Sequence, residues 1–151
     1  MKLRTLVAAI LTVCGMGCSR QAPPPAISTE GLPPMEAIKV QLAELQKTKG
    51  EAWINIQEIN GDVMVQISGG DPLGLNIVHY PSQESPEKAL GSVGIAVPST
   101  WKQVQFEPGT VLLYNVPAVE AENLPAFIND LFIKFFKKPP DYKVECDIET
   151  L

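Results

Sequence analysis

Histidine and cysteine are scarce in this 151-residue chain, which holds one histidine (His79) and three cysteines (Cys14, Cys18 and Cys146). So small a set leaves little material for a metal site, which needs several such ligands close together. Positive charge is also in deficit, with 12 Lys and Arg against 17 Asp and Glu. That balance argues against a nucleic-acid partner, because binding there rests on clustered positive charge. There is no block of like charge to form an acidic tail, no nucleophile motif of the G-x-S-x-G type, and no phosphate-loop lysine. A bilayer-spanning helix needs roughly 20 apolar residues, and the apolar run near the start is shorter. With 45% apolar and 19% charged residues, the composition is that of one globular domain.

The N-terminus carries an address. Lys2 and Arg4 are followed by the uncharged run Leu6 to Val13 and then Cys14-Gly-Met-Gly-Cys18. A basic start, an apolar middle and small residues before a cut make a secretory signal, expected over residues 1–17. The cysteine spacing is C-x-x-x-C rather than the C-x-x-C of a redox pair, and no further ligand follows until His79.

A signal ending in a small residue and then cysteine resembles the lipobox of bacterial lipoproteins. The resemblance implies diacylation of Cys18, with Gly17 at the small position before it. Gly15 departs from the pattern, since leucine is usual three residues before the lipidated cysteine. Cys14 has Leu11 at that place, but Val13 directly before it is bulky for the usual cut. Serine at position 19 implies, by the same resemblance, the outer membrane facing the periplasm in a two-membrane cell. The membrane is then a partner through the lipid, not through a basic patch.

Ser19 to Pro34 lacks apolar periodicity and is rich in proline, so residues 18–34 are expected to form a tether. Its sixteen residues after Cys18, at about 3.1 Å each, reach up to roughly 50 Å. A single α+β domain is expected over 35–151. Met35, Ile38, Leu42 and Leu45 form one helical stripe, with Pro34 at its first position. Asn60-Gly61 reads as a two-residue type I′ turn that sets Ile56 opposite Val65, Ile54 opposite Ile67 and Asn55 opposite Gln66. A loop over Ser68–Gly74 and a strand over Leu75–Tyr80 follow, and then a short helix capped by Ser85.

In the second hairpin, Val104 and Phe106 are expected to share a face with Val111 and Leu113 across Glu107–Thr110. Pro108-Gly109 there favours a type II turn. Leu124, Phe127, Ile128, Leu131, Phe132, Phe135 and Phe136 make an unbroken helical stripe, with Asn123 as cap and Pro139-Pro140 as stop. Tyr142, Val144, Cys146 and Ile148 then alternate with Lys143, Glu145, Asp147 and Glu149, the pattern of a half-buried strand. The expected architecture is an antiparallel sheet of about five to six strands, with an N-terminal helix and a long C-terminal amphipathic helix packed on it. This order, carried by Trp53–Gln57, Ala89–Ile95 and the Leu124–Phe136 segment with its following strand, loosely resembles the type III secretion chaperone-like domains. The resemblance brings no site residues with it.

Candidate chemistry is thin. His79 is expected on the strand face of Leu75 and Ile77, and with Asp71 it forms the weak alternative site for a hydrolase or small-molecule binder. Cys146 reads as a buried thiol. Trp53 on the Asn55/Gln57 face and Trp101 on the Gln103/Gln105 face mark a binding surface if those faces meet solvent. No cofactor and no metal are expected. The expectation is therefore a lipid-anchored, non-enzymatic envelope lipoprotein that binds a protein partner or serves an assembly.

Overall fold

A computed structural model describes residues 27–151. The expected signal over 1–17, Cys14, Cys18 and the first part of the tether lie outside the described residues. The elements are α1 (Pro34–Lys47), β1 (Ala52–Glu58), β2 (Met64–Ser68), β3 (Leu73–Val78), α2 (Pro86–Ser92), β4 (Lys102–Glu107), β5 (Val111–Val116), α3 (Leu124–Asp130) and β6 (Val144–Thr150). All six strands join one antiparallel sheet in the order β4-β5-β3-β2-β1-β6. The fold is α+β.

Strand alternation sorts the side chains into two faces. Ile54, Ile56, Val65, Ile67, Leu75, Ile77, Leu112, Tyr114 and Cys146 are buried together on the inner face. Helix α1 brings Ala37, Ile38, Leu42 and Leu45 to that face at three- and four-residue steps, and Leu90 of α2 with Phe127 and Ile128 of α3 complete the same core. Each buried Leu, Ile or Phe contributes about 1.5–3 kcal/mol, so this one-sided core dominates the stability.

The first hairpin keeps the expected register, with Ile54 opposite Ile67, Asn55 opposite Gln66 and Ile56 opposite Val65. Its turn differs from the expected type I′. Glu58 and Val63 still bond, but only Asn60 has positive φ (60°), and Gly61 N–H turns back to Glu58 O. The reason lies in the neighbouring strand: Ile59 donates its N–H to Lys143 O at 2.9 Å, leading into β6, and is lost to the turn. A four-residue loop results. β3 starts at Leu73, two residues before the expected Leu75, because Ser68 pairs directly with Gly74.

The second hairpin corrects the expected pairing by one residue. Glu107 lies opposite Val111 and Phe106 opposite Leu112, so Phe106 faces inward with Leu112 rather than with Val111 and Leu113. Thr110 N–H bonds to Glu107 O and Gly109 has φ +75°, which fits the expected type II geometry. A bulge between Gln103 and Gln105 then extrudes Val104, which is 54% exposed.

The expected unbroken C-terminal helix is divided. A 3₁₀ segment spans Ala118–Asn123, α3 ends at Asp130, and Leu131–Phe135 is a π-turn closed by Phe136 N–H to Leu131 O. The wider turn fans the phenylalanines apart. Phe132 stacks on Tyr142 at 4.8 Å and Phe135 on Tyr80 at 5.3 Å, while Phe136 meets Phe132 edge-on. Neither Asn123 nor Ser85 makes a side-chain cap bond; Asn123 already has helical angles as the end of the 3₁₀ segment.

Candidate functional site

The outer face of the sheet lies opposite all the helix packing, since the buried residues of α1, α2 and α3 belong to the inner core. Three rows cross it, and the strand pairings define them. One runs Glu149–Trp53–Ser68–Gly74–Asn115–Lys102, and the next Asp147–Asn55–Gln66–Asn76–Leu113–Gln105. The third runs Glu145–Gln57–Met64–Val78–Val111–Glu107. Trp53, Met64, Val78, Val111 and Leu113 are half-buried.

A ladder of amides holds the middle row. Asn76 donates to Gln66 Oε1 at 3.1 Å, Gln66 donates to Asn55 Oδ1 at 2.7 Å, and Asn55 donates to Glu149 Oε1 at 2.8 Å. Asn76 Oδ1 ends the ladder with no partner among the described residues. Each amide is thus held in one orientation, which makes the face rigid as well as polar.

Beside the ladder is a shallow depression of about 250 Å³, lined by Trp53, Gln66, Ser68, Gly74, Asn76 and Leu113. It exists because Gly74 points no side chain outward: a Cβ there would collide with Ser68 Oγ. Trp53 therefore stands where expected, on the Asn55/Gln57 face, as the wall of this depression.

Trp101 does not. It is 5% exposed, packs 4.8 Å from the Phe127 ring, and donates its indole N–H to Glu120 at 2.9 Å. It belongs to the core, and the bulge at Val104 splits the expected Gln103/Gln105 face, setting Gln103 opposite buried Tyr114 and Gln105 opposite Leu113 of the outer face. His79 also departs from its expected place. β3 ends at Val78, and His79 turns out at φ 55° with its side chain exposed, away from Leu75 and Ile77. Asp71 is exposed at the other end of β3, with Ala118 N–H 3.4 Å from its Oδ1. The six-residue β3 between them spans roughly 20 Å, so the two do not form one site.

Cys146 is buried as expected, and burial, then the charges of Asp147 and Glu145, push its thiol up to about 12. Such a thiol is protonated at neutral pH and a poor nucleophile. Gln41, 3% exposed on α1, donates to Cys146 O at 3.2 Å and to Ile27 O at 3.0 Å. Its role is hidden in the sequence, because a polar residue in an apolar stripe reads as surface until its partners are placed. A second groove, about 370 Å³, lies between α1 and the 3₁₀ segment, with Val119 and Pro125 on one wall and Leu42 on the other. No group of three or more His, Cys, Asp or Glu side chains among the described residues could hold a metal ion. No described helix is long and apolar enough to cross a membrane.

No protein-family model matches the chain, and no curated protein or solved structure matches it either.

Proposed function

We propose that this protein is a lipid-anchored envelope lipoprotein, held through Cys18, whose domain is a non-enzymatic protein-binding module in an envelope assembly. The observation that carries the reading is the helix-free outer sheet face, where Trp53, Met64 and Leu113 surround an ordered amide ladder. Interfaces combine aromatic and apolar contacts with hydrogen bonds, and this face offers both side by side, with apolar residues flanking a row of amides. The alternative, an envelope hydrolase or small-molecule binder built on His79 and Asp71, loses support from their placement at opposite ends of β3.

The anchor sets the scale of the reach. Gln41 fastens Ile27 to the domain, which leaves nine residues from Cys18 to Ala26 as tether. At about 3.1 Å each, the rise of a proline-rich linker, they reach roughly 28 Å, about half the span of the full proline-rich segment. The domain therefore works close to its membrane.

The test has two arms. A palmitate analogue labels the wild type and not Cys18→Ser; labelling that survives the substitution removes the anchor from this reading. A photo-crosslinking residue at Ser68, on the outer face, yields a discrete adduct in intact envelopes, whereas one at Lys88 on α2 does not. Equal adducts at both positions, or none, remove the face.

A further inference from the structure

The outer face is bordered on one side by carboxylates alone. Glu145, Asp147 and Glu149 stand at alternate positions of β6, on the same face as Gln57, Asn55 and Trp53, and all three are exposed. None of them is paired with a lysine among the described residues, although Lys39, Lys47, Lys88, Lys134 and Lys138 all find carboxylates elsewhere. Lys143 precedes the row and makes no ion pair with it. Across the sheet, the opposite border carries Lys102, Gln105 and Glu107, which leaves no comparable row of one sign.

Two further observations fix how a partner would lie. β6 is an edge strand, but its backbone is partly taken at Cys146, whose carbonyl accepts from Gln41. A partner strand cannot add there with a full ladder, so it lies over the face instead. Trp53 is opposite Glu149, and the depression opens beside it, so an aromatic wall and an apolar seat adjoin the acidic row.

Resting on the reading of this face as an interface, we infer that its partner is a protein segment in extended conformation, with basic residues at alternate positions along β6 and an apolar side chain seated beside Trp53. Alternate residues of an extended chain repeat at roughly 6.8 Å, the spacing of Glu145, Asp147 and Glu149 along their own strand. Each cation then meets one carboxylate. The cation at Glu149 also lays its apolar stem against the Trp53 ring, where a cation–π contact adds to the ion pair. Charge complementarity of this kind selects the partner and speeds its approach more than it tightens the complex.

The test uses the full lipidated chain in nonionic detergent and three labelled peptides of equal length. One has lysine at three alternate positions with threonine and leucine between and beyond; one has the same residues with the lysines contiguous; one replaces each alternate lysine with glutamate. The alternating lysine peptide binds at least about fivefold tighter than the contiguous one and shifts the Trp53 indole N–H resonance, with buried Trp101 as the unmoved reference. The triple change Glu145→Gln, Asp147→Asn and Glu149→Gln weakens it about tenfold, the sum expected of three surface ion pairs. Glu107→Gln at the opposite border leaves it unchanged. Equal binding of the two lysine peptides, binding that survives the triple change, or no binding of the alternating peptide overturns the inference. If the peptides fail while the Ser68 adduct still forms in envelopes, the basic segment falls and the interface stands; if both fail, the interface falls with it.

Discussion

Gln66 donates its side-chain amide to Asn55 Oδ1 at 2.7 Å across the β1–β2 pair, on the face away from the core. Because Gln66 also accepts from Asn76, it is the central rung of the ladder. Gln66→Ala leaves the Asn55 oxygen and the Asn76 amide without their partners. A part-buried hydrogen bond contributes about 1 kcal/mol net, so the loss is about 1–2 kcal/mol. A lower urea midpoint at unchanged m-value is the expected observation. No shift in midpoint means the ladder does not hold the face.

Gln41 joins three parts of the chain through one buried side chain, with Ile27 O and Cys146 O as acceptors. Gln41→Leu keeps the volume but strands both carbonyls, at a cost of about 1–3 kcal/mol. Amide hydrogen exchange then rises in residues 27–33 before it rises in the sheet. Unchanged exchange there contradicts the role given to Gln41.

Lys138 and Glu58 form the least exposed ion pair of the described chain, at 2.8 Å, and bind the end of the π-turn to the first hairpin. Gly61 is part of the same arrangement, since a Cβ on it would collide with the Glu58 carboxylate. Lys138→Met leaves that carboxylate half-buried and unpaired, and Gly61→Ala displaces it. Each costs about 1–2 kcal/mol, and because they break one contact the double variant costs less than the sum. Strict additivity in a double-mutant cycle contradicts the shared contact.

Stability falls in alkali. The Cys146 thiol is raised to about 12 in the folded chain, by burial first, whereas an unfolded thiol ionises near 8.5. The folded state thus holds its proton where the unfolded state releases it. The stabilisation is complete below the unfolded value and is lost as pH rises through the window from about 8.5 to about 12, at a slope of about 1.4 kcal/mol per pH unit. Burial raises Tyr80, Tyr114 and Tyr142 as well, which adds to the decline at the upper end. Cys146→Ala flattens the lower part of the curve; the same slope in wild type and variant contradicts the assignment.

Much of this fold is legible locally. The register of the first hairpin follows from Ile54, Ile56, Val65 and Ile67, since a one-residue slip would turn them outward. The alternation of β6 likewise places Cys146 inside and Glu145, Asp147 and Glu149 outside. What the sequence hides is non-local. The turn at Asn60 changes because Ile59 bonds to Lys143, more than eighty residues away. Val104 leaves the ladder because a three-residue loop and a bulge reset the pairing of β4, and that reset takes Trp101 into the core. The π-turn at Leu131 reflects the aromatic packing of Phe132 on Tyr142 and Phe135 on Tyr80, which no helical periodicity encodes. Half of the candidate site was visible, in Trp53 and the Asn55–Gln66 pair. The depression and the acidic border needed the strand order, which puts β6 beside β1 and Gly74 between Ser68 and Asn115.

Hydroxyl-radical footprinting of the lipidated protein tests the outer face most directly, because Trp53 and Met64 are readily oxidised and both half-exposed on it. Met35 on α1 is half-exposed too and serves as the internal reference. With the protein in its own envelope, Trp53 and Met64 are oxidised several-fold more slowly than in the purified chain, while Met35 is unchanged. Equal rates for all three residues in the two settings would contradict a partner on this face.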